Sequence, residues 1–174
     1  LAGLGLAPED VDLLAFSHFH YDHAGQANAF AGATLLIQEA EHAVAFGEDP
    51  GVAFFVPELY DALADGPVER LGGEHDVFGD GRVVLVPAPG HTPGHQVLYL
   101  ELEETGPLVL SGDLYHFAAS RALRAVPLFN TDADATRASM DRIEALLAER
   151  GASIWIQHEL ARFETLRTAP AWYE

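Results

Sequence analysis

The chain has 174 residues, of which 49% are hydrophobic, and 27 acidic residues against 9 basic ones give it a net charge of -18. Its length and apolar content fit one globular domain over residues 1–174, without a run of the ~18–20 apolar residues that a membrane span needs. The acidity disfavours nucleic acid and membranes as partners, and the absence of cysteine and lysine excludes disulfides, thiolate metal sites and Schiff-base chemistry.

The first predicted strand, Leu13–Phe16, leads into the histidine-rich segment SHFHYDHAG at residues 17–25. Imidazole nitrogens and carboxylate oxygens are the ligands that zinc and similar ions take. In an extended segment His18, His20 and Asp22 would share a face, and a turn would bring in His23 from another direction. Four ligands this close would strain one tetrahedral site, so the spacing predicts two neighbouring ions. The alternative is a polar loop that is merely rich in histidine.

The next part of the chain combines helix and strand signals with a weakly patterned segment. The pattern predicts a helix at Gln26–Phe30, a strand at Thr34–Gln38, a helix at Glu39–Phe46, an irregular flap at Gly47–Gly66 and, within the flap, a helix at Glu58–Ala64. The adjacent Phe54 and Phe55 of this flap either pack into the core or meet an apolar ligand.

Strands dominate the second half of the chain. They are predicted at Val68–Leu71, Val83–Val86, Gln96–Leu102, Pro107–Ser111 and Ser153–Gln157, with a long amphipathic helix from about Asp132 to Glu149. Strands that alternate with helices indicate an α/β or α+β fold.

Metal-ligand residue types follow four of the apolar strands. His18, His91, Asp113 and His158 each come within a few residues of a strand end. Because sites in α/β folds gather at the carboxyl ends of strands, four such coincidences favour a metal site over core packing.

The H-x-H-x-D-H spacing, the isolated histidine in PGHTPGH, the Gly112-Asp113 pair and the late His158 together resemble the metallo-β-lactamase-fold pattern. SHFHYDHAG and PGHTPGHQ resemble the N-acyl homoserine lactonase group of that superfamily, and the resemblance covers nearly all of the chain. It implies a four-layer αβ/βα sandwich and a hydrolase that opens the lactone ring of bacterial quorum signals through a metal-bridging hydroxide. Proteins of this fold normally have several strands before the first motif, so we expect the N-terminal strands to be missing and the chain to be a fragment.

Carried over position by position, the resemblance implies two sets of metal ligands. One ion would be bound by His18, His20 and His91, the other by Asp22, His23 and His158, with Asp113 bridging the two. His95 would support the ligands from behind. Two divalent ions are expected, with zinc as the first choice and cobalt, manganese or iron as alternatives.

Asp22 is expected to act on the substrate as well as on a metal, together with either Tyr115 or His116. Asp22 would carry a proton from the attacking water to the leaving ring oxygen. The best-known lactonases of this group have a tyrosine three residues after the bridging aspartate, whereas this chain has His116 there and Tyr115 one residue earlier. Either His116 donates to the substrate carbonyl, or the loop shifts so that Tyr115 does; alternatively, both merely pack beside the site.

Other activities of this fold stay open at the level of sequence. The same centre would act on thioesters, as in glyoxalase II, or on β-lactams. A non-catalytic metal-binding module and a one-iron persulfide dioxygenase are disfavoured, because all seven ligand positions are filled. We expect a small neutral lactone or ester as substrate, a homodimer by analogy with the family, and a cytoplasmic location, because no signal-peptide pattern is visible.

Overall fold

Two β-sheets that face each other organise the chain in the computed structural model, which describes residues 1–174. The strands are β1 (Leu13–Ala15), β2 (Thr34–Gln38), β3 (Val68–Leu71), β4 (His75–Asp76), β5 (Val83–Pro87), β6 (Gln96–Leu102), β7 (Gly106–Leu110) and β8 (Ser153–Trp155). The α-helices are α1 (Tyr21–Ala24), α2 (Glu39–Ala45), α3 (Ala118–Leu123), α4 (Ala133–Arg150) and α5 (Leu160–Phe163). Short 3₁₀ turns occupy Ala2–Leu4, Pro8–Asp10, Ala27–Phe30, Pro50–Ala53, Pro57–Leu59, Asp61–Leu63 and Gly112–Leu114. None of the helices combines the length and the apolarity needed to cross a lipid bilayer.

The two sheets differ in strand direction. The first has the order β1-β2-β3 and is parallel throughout, and the second has the order β4-β5-β6-β7-β8 and is antiparallel except for the β7–β8 pair. Each parallel pair needs a crossover, which α1 provides between β1 and β2, α2 between β2 and β3, and α4 between β7 and β8. The central strand β2 is buried from residue 35 to residue 38, as expected of a parallel strand covered on both faces.

Alternation of side chains along β2 and β5 sets the order of the layers. Leu35 and Ile37 pack into a core cluster with α2, whereas Leu36 faces the other way and meets Leu85 of β5 between the sheets. Val86, the next residue of β5, belongs to the larger core under α4. The layers therefore run helix, sheet, sheet, helix, and the predicted four-layer αβ/βα sandwich is confirmed.

The long helix α4 covers the second sheet close to its predicted bounds. Asp132 caps its first turn, where Asp132 Oδ1 accepts hydrogen bonds of 2.9 Å from the backbone N–H groups of Asp134 and Ala135. Gly151, at a φ of 61°, ends the helix in the left-handed conformation that glycine adopts without strain.

The flap between Gly47 and Gly66 departs from the prediction. No α-helix forms over Glu58–Ala64; two 3₁₀ turns lie on either side of Tyr60, whose φ of -141° interrupts the helical path. The Tyr60 ring is only 1% exposed, and its hydroxyl donates a 3.0 Å hydrogen bond to the carbonyl of Ala45. Burial of this ring outweighs the local helix propensity.

Candidate metal centre

Four strand ends bring histidine and aspartate side chains to one edge of the two sheets. His18 follows β1, His91 follows β5, Asp113 follows β7 and His158 follows β8. His18, His91 and Asp113 are at most 3% exposed. The side chains that the sequence analysis singled out at strand ends are therefore neighbours in the fold.

One group of ligand atoms comes from His18, His20, His91 and Asp113, all within 4.8 Å of one another. His18 Nε2 lies 2.9 Å from His20 Nδ1, and His91 Nε2 lies 3.2 Å and 3.0 Å from these two nitrogens. Three ring nitrogens therefore point at a common centre.

The outer nitrogens of these rings show where the protons are. His20 Nε2 donates a 2.9 Å hydrogen bond to the carbonyl of Ala53, which can only accept, so Nδ1 presents its lone pair to the centre. His91 Nδ1 lies 3.0 Å from Asn130 Oδ1, and Asn130 Nδ2 donates to Thr136 Oγ1. The Asn130 oxygen is thereby held toward His91, which keeps the His91 proton on Nδ1 and its lone pair on Nε2.

The second group of ligand atoms comes from Asp22, His23 and His158, also within 4.8 Å of one another. His23 Nε2 and His158 Nε2 are 3.4 Å apart, and Asp22 Oδ2 lies 3.7 Å and 3.6 Å from them. The expectation that Asp22 shares a face with His18 and His20 is wrong. The chain turns into α1 at Tyr21, and Asp22 and His23 contribute their ligand atoms to the second group and not to the first.

Asp113 lies between the two groups with one oxygen toward each. Its Oδ2 is 3.4 Å from His91 Nε2, and its Oδ1 is 3.1 Å from His23 Nε2 and 3.2 Å from His158 Nε2. Although Oδ1 is buried, it accepts no hydrogen bond. A buried carboxylate oxygen without such a partner is costly unless a positive charge lies against it.

The charge states of His18, His91 and Asp113 in the first group suit metal ligation. Burial lowers the pKa of His91 to about 4, and burial together with neighbouring imidazoles holds the pKa of His18 well below its usual range. Burial alone would raise the pKa of Asp113. The neighbouring His116 and His23 outweigh burial and hold the pKa of this carboxyl well below its usual range. Neutral imidazoles and ionised carboxylates are the forms that bind metals.

Together these features fit two divalent cations side by side. In the first group three ring nitrogens face one another at 2.9 to 3.2 Å, and those of His20 and His91 present lone pairs that a cation can accept. The unpartnered Asp113 oxygen faces the second group. All the donors are nitrogen or oxygen, which zinc and similar ions accept.

His95 supports the centre without belonging to either group. It is fully buried, its Nδ1 donates a 3.0 Å hydrogen bond to the carbonyl of Ala88, and its Nε2 accepts a 2.9 Å hydrogen bond from the backbone N–H of Asp113. Burial lowers the pKa of His95 to about 3, so the ring stays neutral and Nε2 remains an acceptor. His95 thus fixes the backbone from which the Asp113 carboxylate projects.

A buried carboxylate, Glu41 of α2, joins the two loops that carry the first group. Its Oε1 accepts a 3.1 Å hydrogen bond from the N–H of Phe19, within the first histidine motif. Its Oε2 accepts 2.8 Å hydrogen bonds from Thr92 Oγ1 and the N–H of Gly94, both within PGHTPGH. Burial raises the pKa of Glu41 to about 7, against the opposing effect of these three donors.

A cavity of about 360 Å³ opens onto the centre. The residues that line it are His20, Tyr21, Asp22, Phe54, Asp113, His116, Phe129 and His158. The adjacent phenylalanines of the flap were predicted either to pack into the core or to meet a ligand. Phe55 is buried in the core, whereas Phe54 is 62% exposed and lines the cavity.

Of the two candidates beside Asp113, only His116 reaches this cavity. His116 Nε2 lies 3.2 Å from Asp113 Oδ2, and its ring stacks on that of His158 with centroids 5.5 Å apart. Tyr115 is 2% exposed, lines a separate groove and donates a 2.8 Å hydrogen bond to Glu144 Oε1. The loop therefore directs the two neighbouring side chains to opposite sides.

Three residues without a predicted role also contact the site: Ser17, Glu41 and Asn130. Asn130 and His91 are 39 residues apart, and Glu41 and Thr92 are 51 residues apart. No local pattern reveals such long-range pairs. Ser17 alone carried a signal, since it is the first residue of the histidine-rich segment SHFHYDHAG.

Comparisons of sequence with known proteins agree with this geometry. A family model described as the metallo-beta-lactamase superfamily matches residues 1–150. The N-acyl homoserine lactonase AttM of Azorhizobium caulinodans is 30% identical over 178 residues, which cover 98% of this chain and 66% of that protein. The N-acyl homoserine lactonase AiiA of Bacillus thuringiensis subsp. kurstaki is 26% identical over 171 residues, which cover 98% of this chain and 64% of that protein. The chain thus spans about two thirds of the length of these relatives.

Solved structures give the same picture. An N-acyl homoserine lactone hydrolase with the product N-hexanoyl-L-homoserine bound at its catalytic metal centre superposes with a TM-score of 0.86 at 26% identity, over 100% of this chain and 66% of that one. A quorum-quenching N-acyl homoserine lactone lactonase superposes with a TM-score of 0.87 at 25% identity, over 100% of this chain and 68% of that one.

Proposed function

Because this chain belongs to the metallo-beta-lactamase superfamily, we propose that it is a dinuclear metal-dependent hydrolase that opens the lactone ring of N-acyl homoserine lactones. One observation carries the proposal: Asp113 extends one oxygen toward each of two ligand groups at the floor of a cavity. The names of the relatives supply the substrate class.

In this proposal His18, His20 and His91 hold one ion, Asp22, His23 and His158 hold the other, and Asp113 bridges them. When bound, two such ions lower the pKa of a water molecule and polarise the substrate carbonyl. We propose zinc as the ion, with cobalt, manganese and iron as alternatives, because all of them accept imidazole and carboxylate.

Asp22 is the proposed proton carrier. Lactone opening adds the hydroxyl of water to the carbonyl carbon and breaks the bond to the ring oxygen, which must then gain the second proton of the water. The Asp22 side chain is 39% exposed and lines the cavity, with Oδ2 3.6 Å from His158 Nε2. With that oxygen directed at the second group, the other oxygen is available to move the proton.

His116 is the proposed donor to the substrate carbonyl. It lines the cavity, and its side chain is 17% exposed. Tyr115 is not proposed for this role, because its hydroxyl is committed to Glu144 outside the cavity. Stacking on His158 holds the His116 ring beside the second group and favours a fixed donor over a mobile one.

The lining of the cavity suits a neutral substrate that is polar at one end and apolar at the other. Aromatic rings of Tyr21, Phe54 and Phe129 accompany the polar groups of the centre. An N-acyl homoserine lactone has these two parts, and a neutral molecule is not repelled by a chain with a net charge of -18. A homodimer and a cytoplasmic location stay predictions; gel filtration tests the first.

The test is acid release by the zinc-loaded protein from N-hexanoyl homoserine lactone, with a thioester and a cephalosporin assayed in parallel. The proposal expects lactone opening that a chelator abolishes and zinc restores. Activity on only the thioester or the cephalosporin would overturn the substrate assignment. His75→Ala is the control for variants that remove a histidine from the centre, and it should keep lactonase activity. His75 pairs with Glu69 and does not line the cavity.

A further inference from the structure

We propose that Ser17 is a positioning residue that holds one ligand of each metal group through a single hydroxyl. The inference rests on the two-ion centre of the proposed function. Ser17 Oγ lies 3.0 Å from His18 Nδ1 and 3.3 Å from His23 Nδ1. His18 belongs to the first ligand group and His23 to the second.

The positions of the protons follow from the directions in which the two rings face. His18 Nε2 points into the first group, 2.9 Å from His20 Nδ1, and His23 Nε2 points into the second, 3.1 Å from Asp113 Oδ1. An imidazole that offers the lone pair of Nε2 to a metal carries its proton on Nδ1. For Nε2 to be free for a metal in both rings, both protons must lie on Nδ1, where they point at Ser17 Oγ, and a hydroxyl oxygen has two lone pairs with which to accept them.

The other outer nitrogens have separate acceptors. His20 uses the carbonyl of Ala53, and His91 uses the Asn130 side chain. Each of these partners serves one ring of the first group. The Ser17 hydroxyl contacts one ligand from each group. Without it, neither His18 nor His23 has this contact to keep its proton on Nδ1.

Backbone contacts from the second half of the chain fix the place of this hydroxyl. The Ser17 carbonyl accepts a 2.9 Å hydrogen bond from the N–H of Gln96 at the start of β6. Gly112, which precedes the bridging Asp113, packs so closely that a Cβ there would lie 2.7 Å from Ser17 Cβ. Ser17 is thus held against the same turn that presents Asp113.

The experiment compares zinc affinity in the wild type, Ser17→Ala, Ser17→Thr and Asn130→Ala by competition with a chromophoric chelator. Supporting contacts of this kind are worth about 10–100-fold in metal affinity. We expect Ser17→Ala to weaken both ions by about this factor, Ser17→Thr to restore both, and Asn130→Ala to weaken one. Wild-type affinity for both ions in Ser17→Ala, or a loss confined to one ion, would overturn the proposal.

Two further measurements keep the result specific. Urea unfolding of the metal-free variants separates loss of ligand alignment from loss of the fold. If a variant does not fold, ¹⁵N NMR of the metal-free wild type decides: protonated Nδ1 in both His18 and His23 supports the role of Ser17, and protonated Nε2 in either ring overturns it. Lactone hydrolysis by the wild type tests the proposed function separately, since the role of Ser17 is judged on zinc affinity and ring tautomers.

Discussion

Replacing Glu41 with glutamine removes an ionisable group from the contact between the two ligand loops while nearly preserving its shape. The wild-type side chain is 0% exposed and accepts three hydrogen bonds. Burial opposes ionisation and the three donors favour it, and burial prevails, raising the pKa of Glu41 from 4.5 to about 7. The stability of the fold should therefore depend on pH through this one residue.

The sign and size follow from proton linkage. Between pH 4.5 and about 7 the folded chain retains a proton on Glu41 that the unfolded chain has released. The free energy of unfolding then falls with rising pH by about 1.4 kcal/mol per unit. This stabilisation is fully present below pH 4.5 and is lost as the pH rises through about 7, a change of about 3 kcal/mol in total.

Urea unfolding of the metal-free wild type and of Glu41→Gln at a series of pH values measures this effect. Bound metal must be absent, because its affinity is itself pH-dependent. Subtracting the unfolding free energies of the variant from those of the wild type at each pH removes the contribution of the histidines, which both proteins share, and leaves that of Glu41. We expect the free energy of unfolding of the wild type to fall by about 3 kcal/mol relative to Glu41→Gln between pH 4.5 and pH 7.5. A difference that is flat, or that favours the wild type as the pH rises, would show that the three donors control ionisation and that the reasoning from burial is wrong.

Three further predictions concern the centre itself. Asp113→Ala should lower kcat/KM on the lactone by orders of magnitude, because it removes the carboxylate shared by both groups; wild-type activity with two bound ions would contradict the assignment. His116→Ala should lower kcat by about 100-fold, whereas Tyr115→Phe should leave it near wild type, since the Tyr115 hydroxyl binds Glu144; the reverse order in steady-state kinetics would exchange their roles. Chelation should lower the Tm, because ions that bind only the folded state stabilise it by about 2.7 kcal/mol at 100 times Kd; an unchanged Tm would argue against metal binding by the folded chain.

The sequence predicted seven of the eight strands, all but the two-residue strand β4, and it predicted that the site residues lie close together. Apolar runs such as Thr34–Gln38 and Gln96–Leu102 became strands with the predicted bounds, because burial of alternate or continuous apolar residues dominates there. Four of the ligand positions, His18, His91, Asp113 and His158, followed from the rule that loops at strand ends converge on one edge of a sheet, and the complete set followed from the family resemblance. The pattern of strands and helices thus predicted an α/β or α+β fold, whereas the four-layer sandwich and the seven ligands were predicted from the resemblance.

Details that depend on distant partners were not predictable. Tyr60 breaks the helix expected over Glu58–Ala64 because its ring is buried against Phe19, far away in sequence. The opposite directions of Tyr115 and His116 depend on Glu144 of α4. Local patterns report periodicity and turn chemistry, whereas these choices are decided by contacts that exist only in the folded chain.

The distance along the chain between members of the second ligand group has a consequence for the order of folding. His23 and His158 are 135 residues apart, and β8 reaches its place beside β7 only after α4 has crossed the sheet. Loop-closure entropy must be lost before such distant contacts form, so we expect this pair to form late in folding. Because His158 follows β8, we expect the second ligand group to be complete only after β8 has paired with β7, so that binding of a second ion would report on this pairing.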